Sequence, residues 1–410
     1  MSLLTTATLV VTPNAGKTSK LYSVIPSNGN GDFTVTRATT ATRTNSAGLI
    51  ESTTANMVRC DYSLGSCPNL LLEPQRTNLA LRSEEFDNVS WSKTGSAITS
   101  NTTTSPSGIP TADTFVGDGV LGNHRVSQSF SATTGTVYTQ TCYIKKNTND
   151  FFQFYFAAGQ FGAVAFANFD LNNGVLGTVG AGSTASITNV GNGWYRCSIT
   201  STAIVTASSS INLSLISSTT SPRAESNTLS TSVFLWGAQI EAGAYATSYI
   251  PTTTASVTRN ADIISLGNVY TNGLISASGG TWFVELRNNV PLTRDANTAG
   301  LNLDTILGTN GFALRNNATA TRLTISKYIA SARTDLYVTT TNTCKIAIKW
   351  NGTTADIFEN GTKVVSATAF TTTAMQLING TSADVSKNIN QMALWATPLT
   401  DTQLTQLTTL

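Results

Sequence analysis

Charged residues are scarce in this 410-residue chain: they make up 11% of it, against roughly 25% in ordinary soluble proteins. The 24 basic and 22 acidic side chains nearly balance, giving a net charge of +2, and no basic run stands out. Nucleic-acid binding depends on clustered lysine and arginine that neutralise phosphates. The sequence therefore argues against a nucleic-acid partner.

Histidine is nearly absent as well, since His124 is the one histidine of the chain. Metal sites built on several histidines are excluded, and no Gly-x-Ser-x-Gly motif accompanies His124, which we interpret as a loop residue. Glycoside hydrolysis needs two carboxylates about 5 to 10 Å apart, and sequence alone leaves such a pair open among Glu73, Glu241, Glu285 and Asp304. We expect no enzyme, no catalytic residue and no cofactor.

The five cysteines are too few and too widely spaced for a disulfide framework, and no Cys-x-x-Cys pair begins a zinc site. Cys142 and Cys197 fall in strand-like runs and are expected to be buried. Cys60 and Cys67 are close enough in sequence to form a disulfide across a loop, and the sequence does not decide whether they do. Asp170, with the asparagines that follow it, begins like a calcium loop but lacks the later Gly and Glu, so we predict a turn and no metal site.

Long apolar runs are missing too: none reaches the roughly 18 residues that span a bilayer. The first residues, Met1 to Thr6, lack a basic stretch followed by an apolar one, so we expect no secretory signal and no membrane insertion. A protein of this kind that acts outside a cell is released by lysis or inside a particle.

Thr, Ser, Asn and Gly fill the place of the missing charges, and they favour strands and turns. The run "VYTQTCYIKK" (137–146) alternates as a strand does, with Tyr138, Gln140, Cys142 and Ile144 on one face. Similar runs recur about every ten residues between Gly and Asn turns. The pattern predicts an all-β chain of tandem jelly-roll or lectin-like β-sandwiches.

The chain divides at a short apolar run, Leu70 to Leu72, bracketed by Pro68 and Pro74. Each proline fixes φ and donates no hydrogen bond, so each marks an element boundary. We predict a strand here that leads from one module to the next. The predicted modules are an irregular leader over 1–65, a first sandwich over 66–262 and a second over 263–410.

The segment "LLLEPQRTNLALRSEEFDNVSWSK" that begins at this strand resembles one found in virion proteins of tailed bacteriophages. The resemblance continues at "FDLNNGVLGTVGAGSTASITNVGNGWYRCSIT", at "VFLWGAQIEAGAYATSYIPTTTASVTRNAD" and upstream at "KLYSVIPSNGNGDFTVTRATTATRTNSAGLIE". Together these cover roughly residues 20 to 262. The resemblance implies a fibre or spike protein, of head-fibre or tail-fibre type, with lectin-like sandwiches.

The C-terminal part resembles, more loosely, concanavalin A-like and laminin-G-like sandwiches in "KIAIKWNGTTADIFENGTKVV" and "INQMALWATPLTDTQLTQL". Asn360-Gly361 predicts a two-residue hairpin turn. Thr400 is positioned to cap a terminal helix that turns Leu404 and Leu407 toward the sheet.

A candidate sugar site comes from the aromatic hairpin predicted over Phe151–Phe169. Phe152, Phe154 and Phe156 share one strand face and fill the core, which leaves Phe151, Gln153 and Tyr155 on the other. Two rings that flank an amide could hold a sugar. The alternative is that this face packs on the leader or on a neighbouring subunit.

The expected protein is a structural virion subunit, made in the bacterial cytoplasm and exposed on the particle, that adheres to host surface glycans. Its expected partners are other virion proteins, through the leader, and further copies of itself in a homo-oligomer, expected to be a trimer as phage fibres usually are. The alternatives are a collar, adaptor or decoration protein without a ligand, and a polysaccharide depolymerase spike.

Overall fold

The computed structural model describes residues 3–13, 16–276, 278–287, 299–305, 309–316, 322–371, 374–381 and 387–410. The chain is all-β, and its strands pair antiparallel in sheets that build two β-sandwiches. Apart from strands, the described ranges hold a 3-10 turn at Leu3–Thr6 and two helices, α1 (Ala158–Phe161) and α2 (Asp401–Thr408). None of the described helices has the length and apolar character needed to cross a membrane.

The strands up to residue 103 are β1 (Leu9–Val11), β2 (Gly16–Lys17), β3 (Lys20–Leu21), β4 (Phe33–Thr36), β5 (Ala41–Thr44), β6 (Ile50–Thr53), β7 (Cys60–Asp61), β8 (Asn69–Leu72), β9 (Arg76–Asn78), β10 (Ser92–Thr94) and β11 (Ser96–Thr103). The next are β12 (Ala112–Gly117), β13 (Arg125–Ala132), β14 (Val137–Lys146), β15 (Phe151–Phe156), β16 (Phe166–Asp170), β17 (Val175–Val179), β18 (Thr184–Gly191), β19 (Trp194–Thr202), β20 (Ala207–Leu215), β21 (Ser232–Ala242) and β22 (Val257–Arg259). The last are β23 (Ile263–Leu266), β24 (Gly280–Arg287), β25 (Ala299–Asp304), β26 (Gly311–Asn316), β27 (Leu323–Ile329), β28 (Ala332–Val338), β29 (Thr343–Trp350), β30 (Thr354–Glu359), β31 (Thr362–Ala369), β32 (Leu377–Thr381) and β33 (Lys387–Trp395).

The chain forms two compact units, and one of them is discontinuous in sequence. The split unit consists of Met1–Ser46, Ser52–Gln75 and Asn260–Leu410, and the inserted unit of Ala47–Glu51 and Arg76–Arg259. The predicted boundaries at 65/66 and 262/263 therefore differ from the observed ones.

The inserted unit is a sandwich of two sheets, ordered β10-β13-β20-β15-β16-β17 and β11-β12-β21-β14-β19-β18. The predicted face of β14 is confirmed, since Tyr138, Cys142 and Ile144 belong to the core between these sheets. The predicted aromatic hairpin is confirmed too: β15 pairs with β16, with Phe151 opposite Asp170 and the one-turn helix α1 in the connection.

The split unit is also a sandwich. One sheet runs β31-β30-β29-β24-β33-β8-β7, with β1 also paired to β33, and the other runs β2-β3-β4-β23-β32-β25-β26-β27-β28. The predicted strand at Leu70 to Leu72 is confirmed as β8, all four residues of which are buried. It pairs with β7 and β33 inside this unit, so it is not the opening strand of the first predicted sandwich.

The predicted leader is not a separate irregular segment. Its strands complete both sheets of the split unit: Leu9 lies opposite Leu394, and Val35 lies opposite Ile264. These partners are hundreds of residues away in sequence, so local alternation gave no sign of them.

The C-terminal hairpin and helix are as predicted. Glu359 pairs with Thr362 across the Asn360-Gly361 turn, and both turn residues have positive φ, of 48° and 83°, as that tight turn requires. Thr400 forms a capping box with Gln403 at the start of α2. Leu404 is buried and Leu407 packs on the same small core.

Candidate functional site

The three residues predicted to contact sugar lie on β15, in the middle of one sheet of the inserted unit. The alternation of β15 turns Phe151, Gln153 and Tyr155 away from the phenylalanine core, as predicted. Phe151 is partly buried, but Gln153 and Tyr155 are only 0% and 2% exposed. Residues 217–227, between β20 and β21, cover them and are called the covering segment.

Buried amide side chains fasten the covering segment to the sheet. The Gln153 amide donates to the carbonyl of Pro222 at 3.0 Å, and its oxygen accepts from the N–H of Ala224 at 2.7 Å. Asn168, beside it on β16, donates to the carbonyl of Ser221 at 2.8 Å. Because a buried amide is costly unless it is hydrogen-bonded, these contacts favour the closed arrangement.

The expected open platform of two rings and an amide is therefore not formed. This face packs on a segment of the same unit, which the sequence alternatives did not include. Sugar binding by Phe151, Gln153 and Tyr155 themselves stays a prediction, and it requires the covering segment to move.

Two arginines meet at Tyr155. Its hydroxyl donates to Asn123 Oδ1 at 3.0 Å and accepts from Arg125 Nη1 at 3.3 Å. The guanidinium of Arg223, from the covering segment, lies over the Tyr155 ring at 4.7 Å. Arg223 also donates to the carbonyl of Phe156 at 2.7 Å. Asn123, Arg125 and Arg223 are each partly exposed.

The two positive charges are incompletely compensated. Burial lowers the pKa of Arg223, Tyr155 acts to raise it, and the charge of Arg125 lowers it further. The Nε atoms of both arginines are buried and have no hydrogen-bond partner within the described ranges. The cluster is thus a half-buried cationic site in which some guanidinium N–H groups have no hydrogen-bond acceptor.

The acid of the covering segment, Glu225, is engaged elsewhere. Its carboxylate accepts from the hydroxyl and the N–H of Ser217 at 2.6 and 2.7 Å and from the Asn227 amide at 3.0 Å. Burial alone would raise the pKa of Glu225, but these hydrogen bonds lower it. Glu225 is therefore an anion held within its own loop.

Sequence reasoning missed Asn123, Arg125 and Arg223. Arg125 shares its strand parity with Ser127 and Ser129, so a cation on the outer face of β13 could have been predicted. Arg223 lies in a polar stretch without periodicity, and no sequence signal indicated its contact with Tyr155.

His124 is outside the strands, as predicted, but its side chain is buried at 0% exposure. Its Nδ1 lies 2.5 Å from the carbonyl oxygen of Gly95, and its Nε2 lies 3.1 Å from that of Asn227. The imidazole therefore connects backbone segments of the inserted unit.

The four carboxylates considered for hydrolysis all contact groups of the protein. Their partners are Arg59 at 2.7 Å for Glu73, the Thr247 hydroxyl at 2.7 Å for Glu241, Arg287 at 3.9 Å for Glu285 and the Asn310 N–H at 2.8 Å for Asp304.

Within the part of the chain that the structure describes, no group of three or more His, Cys, Asp or Glu side chains is placed to hold a metal ion. The turn predicted at Asp170 is confirmed, since its carboxylate accepts from the N–H groups of Asn172 and Asn173, both at 2.9 Å. Cys142 and Cys197 are buried, as predicted. Cys60 and Cys67 are free thiols, with Cys67 exposed.

No protein-family model and no curated protein matches this chain. Among solved structures, it is similar to the botulinum neurotoxin serotype D binding domain, at 13% identity and a TM-score of 0.29, over 35% of this chain and 39% of that one. It is also similar to domain 4 of AbnA, an extracellular arabinanase of Geobacillus stearothermophilus seen with arabinotriose, at 15% identity and a TM-score of 0.28, over 40% and 82% of the two chains. A third is the sialidase CBM40 of Ruminococcus gnavus bound to sialyllactose, at 14% identity and a TM-score of 0.26, over 33% and 84%. The chain thus spans about two fifths of the neurotoxin domain chain, and similarities of this size identify no family.

Proposed function

We propose that this chain is a fibre or spike subunit of a tailed-phage virion, exposed on the particle, that adheres to host surface glycans and is not an enzyme. The observation that carries the proposal is the sequence resemblance over roughly residues 20 to 262. Its quoted segments contain the whole of β3 to β5, β9, β17, β18 and β22 and parts of the neighbouring strands, so the resemblance includes strands of both units. The low charge and the two sandwiches are compatible with such a protein.

The first test locates the protein. Phage particles labelled with gold-tagged antibody to this chain should show gold at one fixed position in negative-stain micrographs. A matched preparation with pre-immune antibody is the control. If the chain is found in the cytosol of infected cells and never on particles, the proposal is wrong.

Adhesion is tested separately from location. Particle-bound protein that binds no host-derived sugar on a glycan array would be a collar, adaptor or decoration protein. Release of new reducing ends from host capsule would instead identify a depolymerase.

The proposed adhesion favours several copies acting together, because linked weak sites bind far more tightly than single ones. We expect a homo-oligomer, most simply a trimer, attached to other virion proteins. Light scattering of the purified chain at micromolar concentration should give a multiple of the 43.1 kDa mass. A stable monomer at that concentration would contradict this expectation.

A further inference from the structure

The outer face of the β10-β13-β20-β15-β16-β17 sheet is polar, and two cations stand at one place on it. Arg125 extends from β13 and Arg223 from the covering segment, and both contact Tyr155. The two guanidiniums reach the same side chain from separate segments. Neither forms an ion pair within 4.0 Å with Asp or Glu in the described ranges.

Each guanidinium also keeps unused donors. An arginine carries five N–H donors, whereas Arg125 gives one hydrogen bond to Tyr155 and Arg223 gives one to Phe156. The two Nε atoms are buried without a partner. Unpaired buried donors are unfavourable, and like charges that share a site repel each other. An anion held by both arginines would offset this repulsion.

The surroundings limit what that anion can be. The partly exposed amide of Asn123 lies next to the cations, and amides are groups that bond sugar hydroxyls. The Tyr155 hydroxyl is buried and already hydrogen-bonded to Asn123 and Arg125. The chain has a net charge of +2 and no basic run, so a nucleic-acid backbone, which needs many phosphate contacts, is not favoured. A guanidinium binds a carboxylate through two parallel hydrogen bonds.

We propose that Arg125 and Arg223, positioned by Tyr155 and with Asn123 beside them, bind the carboxylate of an acidic sugar such as a hexuronic acid. This inference rests on the proposed glycan adhesion and assigns it a ligand class. The site uses the partly exposed Asn123, Arg125 and Arg223, which lie beside the buried Tyr155, so the covering segment stays in place.

Calorimetric titration of the full-length protein tests the proposal. The probes are a trimer of galacturonic acid, the same trimer with its carboxyl groups reduced to alcohols, and a sulfated neutral trisaccharide. The acidic trimer should bind, and more weakly at high salt because charge attraction is screened. The reduced trimer should bind at least about tenfold more weakly, since its neutral hydroxyls cannot form an ion pair with a guanidinium.

The matched variants are Arg125→Gln, Arg223→Gln and Arg82→Gln. The first two should each weaken binding of the acidic trimer at least about tenfold. Arg82, which lies in the same unit and pairs with Glu85 at 2.9 Å, undergoes the same loss of charge and should leave affinity unchanged. Arg223 also holds a backbone carbonyl, so Arg125→Gln provides the test if Arg223→Gln lowers the melting temperature.

Three outcomes overturn the inference. The acidic trimer fails to bind, the reduced trimer binds as well, or Arg125→Gln leaves affinity unchanged. Tighter binding of the sulfated sugar than of the acidic trimer would indicate a sulfate ligand and would also contradict the proposed carboxylate. Gold on particles and a neutral-sugar signal on the array would then still support the proposed function, so the two failures are distinguishable.

Discussion

At the residue scale, four charged side chains lie together in the interior of the split unit. Arg37 pairs with Asp262 at 2.7 Å and Arg59 with Glu73 at 2.7 Å. Arg59 also contacts the second oxygen of Asp262. All four are at most 3% exposed. Burial opposes the charge of Arg59, but the two carboxylates outweigh it and raise its pKa.

Asp262→Asn should therefore destabilise the protein strongly. Removing one partner leaves Arg37 and Arg59 buried beside a neutral amide, and breaking such a pair costs roughly 3–5 kcal/mol. Chemical denaturation of the full-length protein, followed at the unfolding transition of the split unit, measures the loss in free energy of unfolding.

The control is Asp335→Asn in the same unit. Asp335 pairs with Arg333 at 3.2 Å, and the two side chains are 43% and 34% exposed. An exposed pair contributes about 0–1 kcal/mol. Equal losses for the two variants would show that the buried cluster contributes no more than a surface pair.

At the element scale, the sequence predicted what alternation and turn chemistry determine. The faces of β14 and β15, the Asn360-Gly361 hairpin and the cap at Thr400 follow from spacings of a few residues, and all are confirmed. The strand at Leu70 to Leu72 was predicted for the same reason. Its unit was assigned wrongly, because its partner β33 begins more than 300 residues later.

The candidate site shows the same limit. Alternation correctly placed Gln153 and Tyr155 on the outer face of β15, but it could not indicate what covers that face. The covering segment has no periodic pattern, and it is held by amide-to-backbone contacts across 69 and 71 residues. The local sequence therefore predicted which face Gln153 and Tyr155 lie on, but not how far they are exposed to solvent.

At the scale of the whole molecule, the inserted unit begins and ends at neighbouring strands. Arg76 on β9 lies opposite Arg259 on β22, and Asn78 lies opposite Val257. The chain thus leaves the split unit at Gln75 and returns to it at Asn260. In the split unit, the N–H of Asp262 donates to the carbonyl of Glu73 at 2.9 Å.

Residues 76–259 expressed alone should fold as a sandwich, because both sheets and the closing β9–β22 pair lie within them. We expect a cooperative melting transition below that of the inserted unit in the full chain, since the fragment lacks Ile50, which packs on the cluster of Trp236 and Tyr249. Calorimetry and circular dichroism provide the measurement.

The comparison fragment is 66–262, which follows the boundaries predicted from sequence. It carries β8 without β7 or β33, so Leu70 and Leu72, at 2% and 1% exposed in the full chain, would be uncovered. It should aggregate more readily than 76–259. A shorter fragment that melts without cooperativity, or aggregates as strongly as the longer one, would show that the inserted unit is not autonomous.

The pairing of Leu9 with Leu394 also sets an order of events during synthesis. A ribosome that adds 5–20 residues per second delivers the second leucine roughly 20 to 80 s after the first. By the time Arg259 emerges, every strand of both inserted sheets is present, whereas β1 still lacks its neighbour. The middle of the polypeptide can thus complete its sheets while its beginning waits, with Leu9, Val10 and Val11 available to a chaperone until translation is almost finished.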